Sequence, residues 1–183
     1  MITLKSAREI EAMDRAGDFL ASIHIGLRDL LKPGVDMWEV EEYVRRRCKE
    51  ENVLPLQIGV EGSIMDYPYA TCCGLNDEVA HAFPRHYILK DGDLLKVDMV
   101  LSEPIDKSVL DVSKLDFDNV AQVKKYTESY TGGLADSCWA YAIGTPSDEV
   151  KNLMEVTREA MYLGIEQAVV GNRIGDIGAA IQE

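Results

Sequence analysis

An aspartate lies within an almost wholly apolar run, residues 94–101, and this run constrains the fold of the chain more than any other segment. Its composition predicts a buried β-strand that begins after the turn Asp91-Gly92-Asp93. Asp98 is five positions beyond that turn and therefore belongs to the strand. An ionised carboxylate in a buried strand is costly unless a cation or a hydrogen-bond donor compensates it. The sequence therefore predicts a compensating partner for Asp98.

A second aspartate and a histidine occur in similarly informative contexts. Asp136 follows Gly132-Gly133 in another strand-like run, and His81 precedes the turn Phe83-Pro84. Two carboxylates that face one cavity are typical of a divalent metal site, and His81 could supply proton chemistry. Taken singly, a strand aspartate is more often an edge or turn residue, and a lone histidine more often a satisfied polar group. The order and context of all three favour a metal-dependent site.

Composition disfavours several classes of function. At 183 residues the chain can bury one real core. A net charge of −13 argues against nucleic-acid binding, which favours a basic face. No apolar run approaches the roughly 18 residues of a membrane span, and the N-terminus leads into an amphipathic pattern without a secretory segment. The four cysteines show no C-x-x-C spacing, which indicates reduced thiols in the cytoplasm rather than a structural zinc site.

Helical periodicity is strong near both ends of the chain. Ser6 and Glu9 form a predicted capping box for a long amphipathic helix, and His24 on its buried stripe is predicted to be a packed core residue. Asp36 is the predicted cap of a second helix, on which the run Arg45-Arg46-Arg47 is predicted to be a solvated face. Another helix is predicted to open at 145–149.

Between these helices, residues 53–102 are predicted to be β-rich, with strands at 69–73 and 94–101, and strand character returns at 134–143. Residues 103–131, called the inserted segment below, are polar and show no steady period. A long irregular segment between strands is usually a functional lid or a mobile loop. We therefore expect the inserted segment to be a surface excursion near the mouth of the site, whose shortening leaves the fold intact.

A weak internal repeat relates two parts of the chain at a constant offset of 137 residues. The matched positions all lie just after a long amphipathic helix: Gly34, Met37, Val40 and Val44 in one part, and Gly171, Ile174, Ile177 and Ile181 in the other. The repeat predicts a two-lobed molecule, with a first lobe at 1–144 and the start of a second lobe at 145–183. Chance similarity between amphipathic helices is the alternative explanation.

Seven motifs in register resemble those of the type I methionine aminopeptidases in the creatinase/aminopeptidase, or pita-bread, family. They are Lys32-Pro33-Gly34-Val35, Tyr67-Pro68, Cys72, Asn76-Asp77-Glu78-Val79-Ala80-His81-Ala82-Phe83-Pro84, Leu89-Lys90-Asp91-Gly92-Asp93, Val97-Asp98-Met99 and Ile174-Gly175-Asp176-Ile177-Gly178-Ala179-Ala180-Ile181-Gln182. The resemblance covers nearly the whole chain. It implies an α+β pita-bread fold, of which this chain would hold the first pseudo-symmetric lobe and the opening helices of the second. It also implies a cytoplasmic metalloaminopeptidase that removes the initiator methionine from new proteins.

When the functional residues of the family are carried over to the matching positions of this sequence, the resemblance implies a set of site residues. Asp98 would bind one metal in bidentate fashion, and Asp136 would bridge two divalent ions, with Co, Mn, Fe and Zn as the candidate elements. His81 matches the catalytic and substrate-binding histidine beside the scissile bond, while Tyr67 and Cys72 match residues that line the methionine pocket. The implied partners are peptide or nascent-protein N-termini and the ribosome, without direct binding of nucleic acid or membrane.

The chain departs from the family pattern in two ways. Asp98 and Asp136 are 38 positions apart, whereas a short hairpin separates the corresponding residues in most of the family, so 103–131 has the position of an insertion that some bacterial members carry. The remaining ligands of the family, one His and two Glu, lie in a C-terminal half that this chain does not contain. We therefore expect the isolated segment 1–183 to bind metal poorly and to be inactive.

Two other functions stay open at this point. Some pita-bread proteins are non-catalytic binding modules, and related peptidases cleave beside proline. The presence of Asp98, Asp136 and His81 disfavours a binding module, and the motif that ends at His81 favours the methionine enzyme over an Xaa-Pro peptidase.

Overall fold

Helices and a three-stranded antiparallel sheet form the first of two compact units, which meet in sequence at Gly144 and Thr145. The computed structural model describes residues 3–182. In chain order the first unit contains α1 (Ala7–Leu30), α2 (Trp38–Glu50), β1 (Cys72–Leu75), β2 (Leu94–Ser102), a 3-10 turn (Val112–Lys114), α3 (Val120–Thr127) and β3 (Leu134–Ala142). The second unit contains α4 (Asp148–Glu166) and α5 (Ile174–Gln182). The predicted α+β class is confirmed.

The sheet has the order β1-β2-β3, and its two faces differ in burial. Along β2 the alternate residues Leu95, Val97, Met99 and Leu101 are completely buried, while the residues between them are half-buried. In β3 the residues Leu134, Asp136, Cys138 and Ala140 are exposed. This two-residue period is typical of a sheet that covers a core on one side. The opposite face, which carries Asp98 and Asp136, is open.

Helix α1 packs against the inner face of β3. Its start is as predicted, because the Ser6 side chain accepts from the Glu9 amide and the Glu9 carboxylate accepts from the Ser6 amide. Ile23, His24 and Leu27 are completely buried on the side of α1 that meets the core. The prediction that His24 is a packed core residue is therefore confirmed.

The second helix differs from the prediction at its start. It begins at Trp38, with Met37 as the N-cap and no capping bond from the Met37 side chain. Asp36 lies one residue earlier, and its Oδ1 accepts from the Trp38 amide at 3.1 Å. Asp36 therefore stabilises the first turn from just outside the helix.

The solvated face predicted for Arg45-Arg46-Arg47 is wrong for Arg45. The Arg45 side chain is only 15% exposed, because its guanidinium forms ion pairs with the completely buried Glu41 and with Asp118. The same glutamate explains why β1 is shorter than predicted. The Ala70 amide and the Thr71 hydroxyl both donate to the Glu41 carboxylate, and strand pairing begins only at Cys72.

The expectation that the inserted segment is a surface excursion is wrong for its apolar residues. It contains the 3-10 turn and α3, and its apolar residues Val112, Leu115, Phe117 and Val123 are all buried in the main core. The side chain of Asn52 binds the segment at three backbone positions, the carbonyls of Ile105 and Leu110 and the amide of Val112. The sequence did not predict this burial, because the four core residues are widely spaced in a polar segment and follow no single period.

In the second unit, α4 begins after Ser147, whose side chain accepts from the Val150 amide. Gly164 allows α5 to approach α4 closely, because an added Cβ would lie 2.7 Å from Ile181 Cγ1. Within residues 3–182, every helix is too short or too polar to cross a lipid bilayer.

Candidate metal and substrate site

Asp98 and Asp136 lie on the same open face of the sheet. In the pairing of β2 with β3, Asp98 is opposite Cys138 and Val100 is opposite Asp136. The two aspartates are therefore diagonal neighbours on adjacent strands, a separation that polar side chains can span. The pairing register brings together two residues that are far apart in the chain.

The electrostatic environment of Asp98 reflects this proximity. Partial burial raises the pKa of its carboxyl group above the ordinary value, and the nearby Asp136 carboxylate raises it further. His81 acts in the opposite direction and lowers the pKa of Asp98. Two carboxylates in this relation repel each other, and a cation between them would relieve the repulsion.

Two thiols flank Asp98 across the strands. Cys72 of β1 is opposite Asp98 on one side, and Cys138 of β3 is opposite it on the other. Burial, with a smaller contribution from Asp98, raises the pKa of the Cys138 thiol to about 11. Burial likewise raises the pKa of Cys72. Both side chains are therefore neutral thiols near pH 7.

His81 is exposed on the loop that follows β1. Its backbone has a φ of 57°, in the left-handed region that non-glycine residues seldom adopt. The next residue anchors the loop to the sheet, because the Ala82 carbonyl accepts from the Cys73 amide at 2.8 Å. Such a backbone conformation persists only where the surroundings hold it, and it is common at functional sites.

Tyr67 connects the predicted substrate residues to this loop. Its hydroxyl donates to the Thr71 carbonyl at 3.0 Å, and the Ala82 carbonyl lies 3.3 Å away. Burial raises the pKa of Tyr67, and a hydrogen bond with Cys72 adds to the shift. Tyr67 and Cys72 are thus in contact, next to the loop that carries His81.

An aromatic cluster surrounds Tyr67. The Tyr67 and Phe83 rings meet edge to face at 5.2 Å between centroids, and Tyr69 contacts Phe83 in the same way at 5.3 Å. Trp38 extends the cluster through Tyr69. Aromatic rings in these arrangements form an apolar surface with fixed geometry.

Gln57 also belongs to this region, although it was not predicted from the sequence. Gln57 Nε2 lies 3.1 Å from Cys72 Sγ. Among residues 3–182, its buried Oε1 has no hydrogen-bond partner. No motif or period surrounds Gln57 in the sequence, so only the folded chain reveals its position.

The other two histidines lie elsewhere. His24 is buried beneath β3, and His86 Nδ1 lies 2.8 Å from Asp36 Oδ2. Asp98 and Asp136 fit a divalent cation as oxygen donors. Within the described part of the chain, no group of three or more His, Cys, Asp or Glu side chains is placed to hold a metal ion.

Fold and site together define an α+β protein with a carboxylate pair on an open sheet face. The sequence profile of metallopeptidase family M24 matches residues 11–102 and 125–183. The chain belongs to this family. Residues 103–124, within the inserted segment, lie outside the match.

Individual relatives agree with this assignment. The chain is 31% identical over 182 residues to methionine aminopeptidase 1 of Bacillus subtilis, and it covers 61% of that protein. A solved methionine aminopeptidase from Streptococci is 87% identical with a TM-score of 0.93, and the match covers all of this chain and 64% of that one. An X-Pro aminopeptidase from Thermotoga maritima has a TM-score of 0.64 at 18% identity, with 98% and 41% of the two chains covered. The first two proteins are methionine aminopeptidases, and the third, at 18% identity, shows the shared pita-bread fold alone.

Proposed function

We propose that the full-length protein removes the N-terminal methionine from peptides and nascent proteins in the cytoplasm. The observation that carries this proposal is the placement of Asp98 and Asp136 on one open face, with His81 close enough to affect the Asp98 carboxyl group electrostatically. The chain spans about three fifths of the length of the relatives that it matches. The activity is therefore proposed for the whole protein rather than for residues 1–183 alone.

Asp98 and Asp136 are proposed to hold two divalent ions, drawn from Co, Mn, Fe and Zn. Both side chains would supply carboxylate oxygens to these ions. Divalent ions of this class polarise a carbonyl group and lower the pKa of a coordinated water. The role of the sheet is to fix the two carboxylates, because each belongs to a nine-residue strand.

His81 is proposed to act on the substrate rather than on the metal. A histidine N–H directed at the scissile amide would stabilise negative charge as it develops on the carbonyl oxygen. Exposure of the side chain and the anchored left-handed backbone support this role. A group that acts in this way raises kcat, since its interaction is strongest in the transition state.

Tyr67 and Cys72 are proposed to line the pocket for the methionine side chain, with Phe83 beside them. The neutral Cys72 thiol and the aromatic edges of Tyr67 and Phe83 are compatible with an uncharged thioether. The substrate class is therefore a peptide with a free N-terminus and methionine in first position, including nascent chains presented at the ribosome.

Substrate preference separates this proposal from the two alternatives. The full-length protein, supplied with Mn or Co, is incubated with Met-Ala-Ser and with Xaa-Pro dipeptides, and the released amino acids are measured. Methionine release that stops after chelation supports the proposal. Preference for Xaa-Pro bonds would identify a proline-directed peptidase, and no hydrolysis of either substrate would favour a binding module. The assay can be made in a reducing buffer, because the four cysteines are free thiols and no disulfide would be broken.

A further inference from the structure

The inserted segment packs against one particular loop, residues 57–68, which carries both Gln57 and Tyr67. We call this stretch the pocket loop. It contains neither helix nor strand. Helix α3 of the inserted segment contacts the loop at its two ends. Lys124 Nζ lies 2.8 Å from Asp66 Oδ2, and the Thr127 hydroxyl donates to the Ile58 carbonyl at 3.1 Å.

The approach between α3 and the pocket loop is close. Gly59 has a φ of +90°, and a Cβ added there would lie 2.7 Å from Lys124 Cβ. Both the backbone conformation and the short distance require glycine at this position. The helix therefore meets the loop backbone directly, next to Gln57.

A second ion pair secures the end of the pocket loop through the Arg45 side chain. Asp118 of the inserted segment pairs with Arg45 at 2.6 Å, and Arg45 Nη2 donates to the Pro68 carbonyl at 3.2 Å. The same guanidinium is held by the buried Glu41. Tyr67 thus lies between two residues, Asp66 and Pro68, that the inserted segment secures directly or through Arg45.

Hydrogen bonds within the pocket loop transmit this anchoring to Tyr67. The Gly59 amide donates to the Tyr67 carbonyl, and the Tyr67 amide donates to the Val60 carbonyl, each at 2.8 Å. These two bonds connect the ends of the loop. The backbone of Tyr67 is therefore coupled to Gly59, the residue that α3 contacts. The ring and hydroxyl of Tyr67 then contact Phe83 and the carbonyls of Thr71 and Ala82.

We propose that the inserted segment is a positioning element for the pocket loop, and that it sets the selectivity for the first side chain of the substrate. This inference rests on the proposed function, because it assigns Tyr67 to the methionine pocket. The segment contributes no group to the reaction. It restricts the freedom of a loop that lacks regular structure, and a restricted pocket loses less entropy when substrate binds.

The test uses the full-length protein and the variant Lys124→Met, which removes the ammonium group and keeps the aliphatic stem near Gly59. The matched control is Lys125→Met, which removes the same charge from the next residue of α3, where the side chain is exposed. Asp66→Asn removes the other partner. The exchanged pair Lys124→Glu with Asp66→Lys provides a rescue variant.

Two measurements are made on each variant. Steady-state kinetics with Met-Ala-Ser and Leu-Ala-Ser give KM, kcat and selectivity, and amide hydrogen exchange reports on Gly59 and Tyr67 independently of activity. We expect Lys124→Met and Asp66→Asn each to raise KM for Met-Ala-Ser roughly threefold, as loss of a half-exposed ion pair implies. Selectivity for methionine over leucine should fall, and amide hydrogen exchange at Gly59 and Tyr67 should accelerate. The values of kcat and metal content should stay constant. The exchanged pair Lys124→Glu with Asp66→Lys should partly restore the KM and the selectivity.

The possible failures are distinguishable. If the unmodified protein releases no methionine from Met-Ala-Ser, the proposed function fails, whatever the exchange rates are. If that protein is active but Lys124→Met matches Lys125→Met in KM, selectivity and exchange, the positioning role is overturned. A fall in kcat at constant KM would also overturn it, since that pattern indicates a role in the chemical step.

Discussion

The imidazole of His24 is hydrogen-bonded to the hydroxyl of Ser137, the residue that follows Asp136 in β3, with 3.0 Å between Nε2 and Oγ. His24 also stacks on Trp139 at 4.7 Å, and its Nδ1 lies 2.7 Å from the Tyr141 hydroxyl. The same hydroxyl also donates to the backbone carbonyl of His24 at 3.1 Å. A neutral imidazole thus ties the inner face of β3 to α1, behind the strand that carries Asp136.

This relationship predicts a pH dependence of stability. Burial lowers the pKa of His24 from 6.5 to about 4. Between these values the unfolded chain binds a proton that the folded chain does not, so the free energy of unfolding decreases as the pH falls from 6.5 to 4. The full contribution is present above pH 6.5 and amounts to about 3 kcal/mol.

Urea denaturation at pH 4.5 and pH 7 checks this expectation. The difference in unfolding free energy between the two pH values should be smaller in His24→Leu than in the unmodified protein. Ile23→Val, at the completely buried neighbour of His24 on α1, serves as the control, because it changes the same packing without removing a titrating group. Equal pH dependence in all three proteins would contradict the assignment of the titrating group.

The second prediction concerns the carboxylate pair. Asp98→Asn in the full-length protein should lose both bound metal and turnover, since the amide offers a weaker, neutral donor. Metal content after dialysis against Mn or Co is the direct measurement. Asp14→Asn, at an exposed position of α1, is the control and should retain metal. Unchanged metal stoichiometry in Asp98→Asn would exclude the proposed ligand role.

The third prediction separates His81 from the metal ligands. His81→Ala should keep the metal content and lower kcat roughly a hundredfold, the usual effect of removing one donor that stabilises a developing oxyanion. Metal analysis and steady-state kinetics are made on the same preparation. A loss of metal comparable to that in Asp98→Asn would identify His81 as a ligand instead.

The fourth prediction follows from the buried residues of the inserted segment. Phe117 is 2% exposed, and Lys49 lies over its ring at 4.9 Å. Phe117→Ala should reduce the free energy of unfolding by about 3–5 kcal/mol, as expected for a large cavity in a core. Val109→Ala, in the same segment but 80% exposed, should change it by less than about 0.5 kcal/mol. Similar stability of the two variants would show that the segment is peripheral.

Local sequence patterns were sufficient for several features of the protein. The capping box at Ser6 and Glu9 specified where α1 begins, because its bonds join residues three apart. The strand around Asp98 was recognisable from its apolar composition, and His24 from its place on a helical stripe. Resemblance of motifs to a known family pointed to Asp98, Asp136, His81, Tyr67 and Cys72 as one site.

Features that depend on distant contacts were decided only by the tertiary structure. Arg45 is sequestered because Glu41 and Asp118 converge on it, and the inserted segment is core because Phe117 and its apolar neighbours reach a surface built by other elements. Neither fact leaves a local period in the sequence. The diagonal placement of Asp98 and Asp136 is likewise a matter of strand register, and a shift of one residue would turn one carboxylate to the opposite face. Sequence alone determined which chemical groups the chain possesses, and packing between distant segments determined which of them meet.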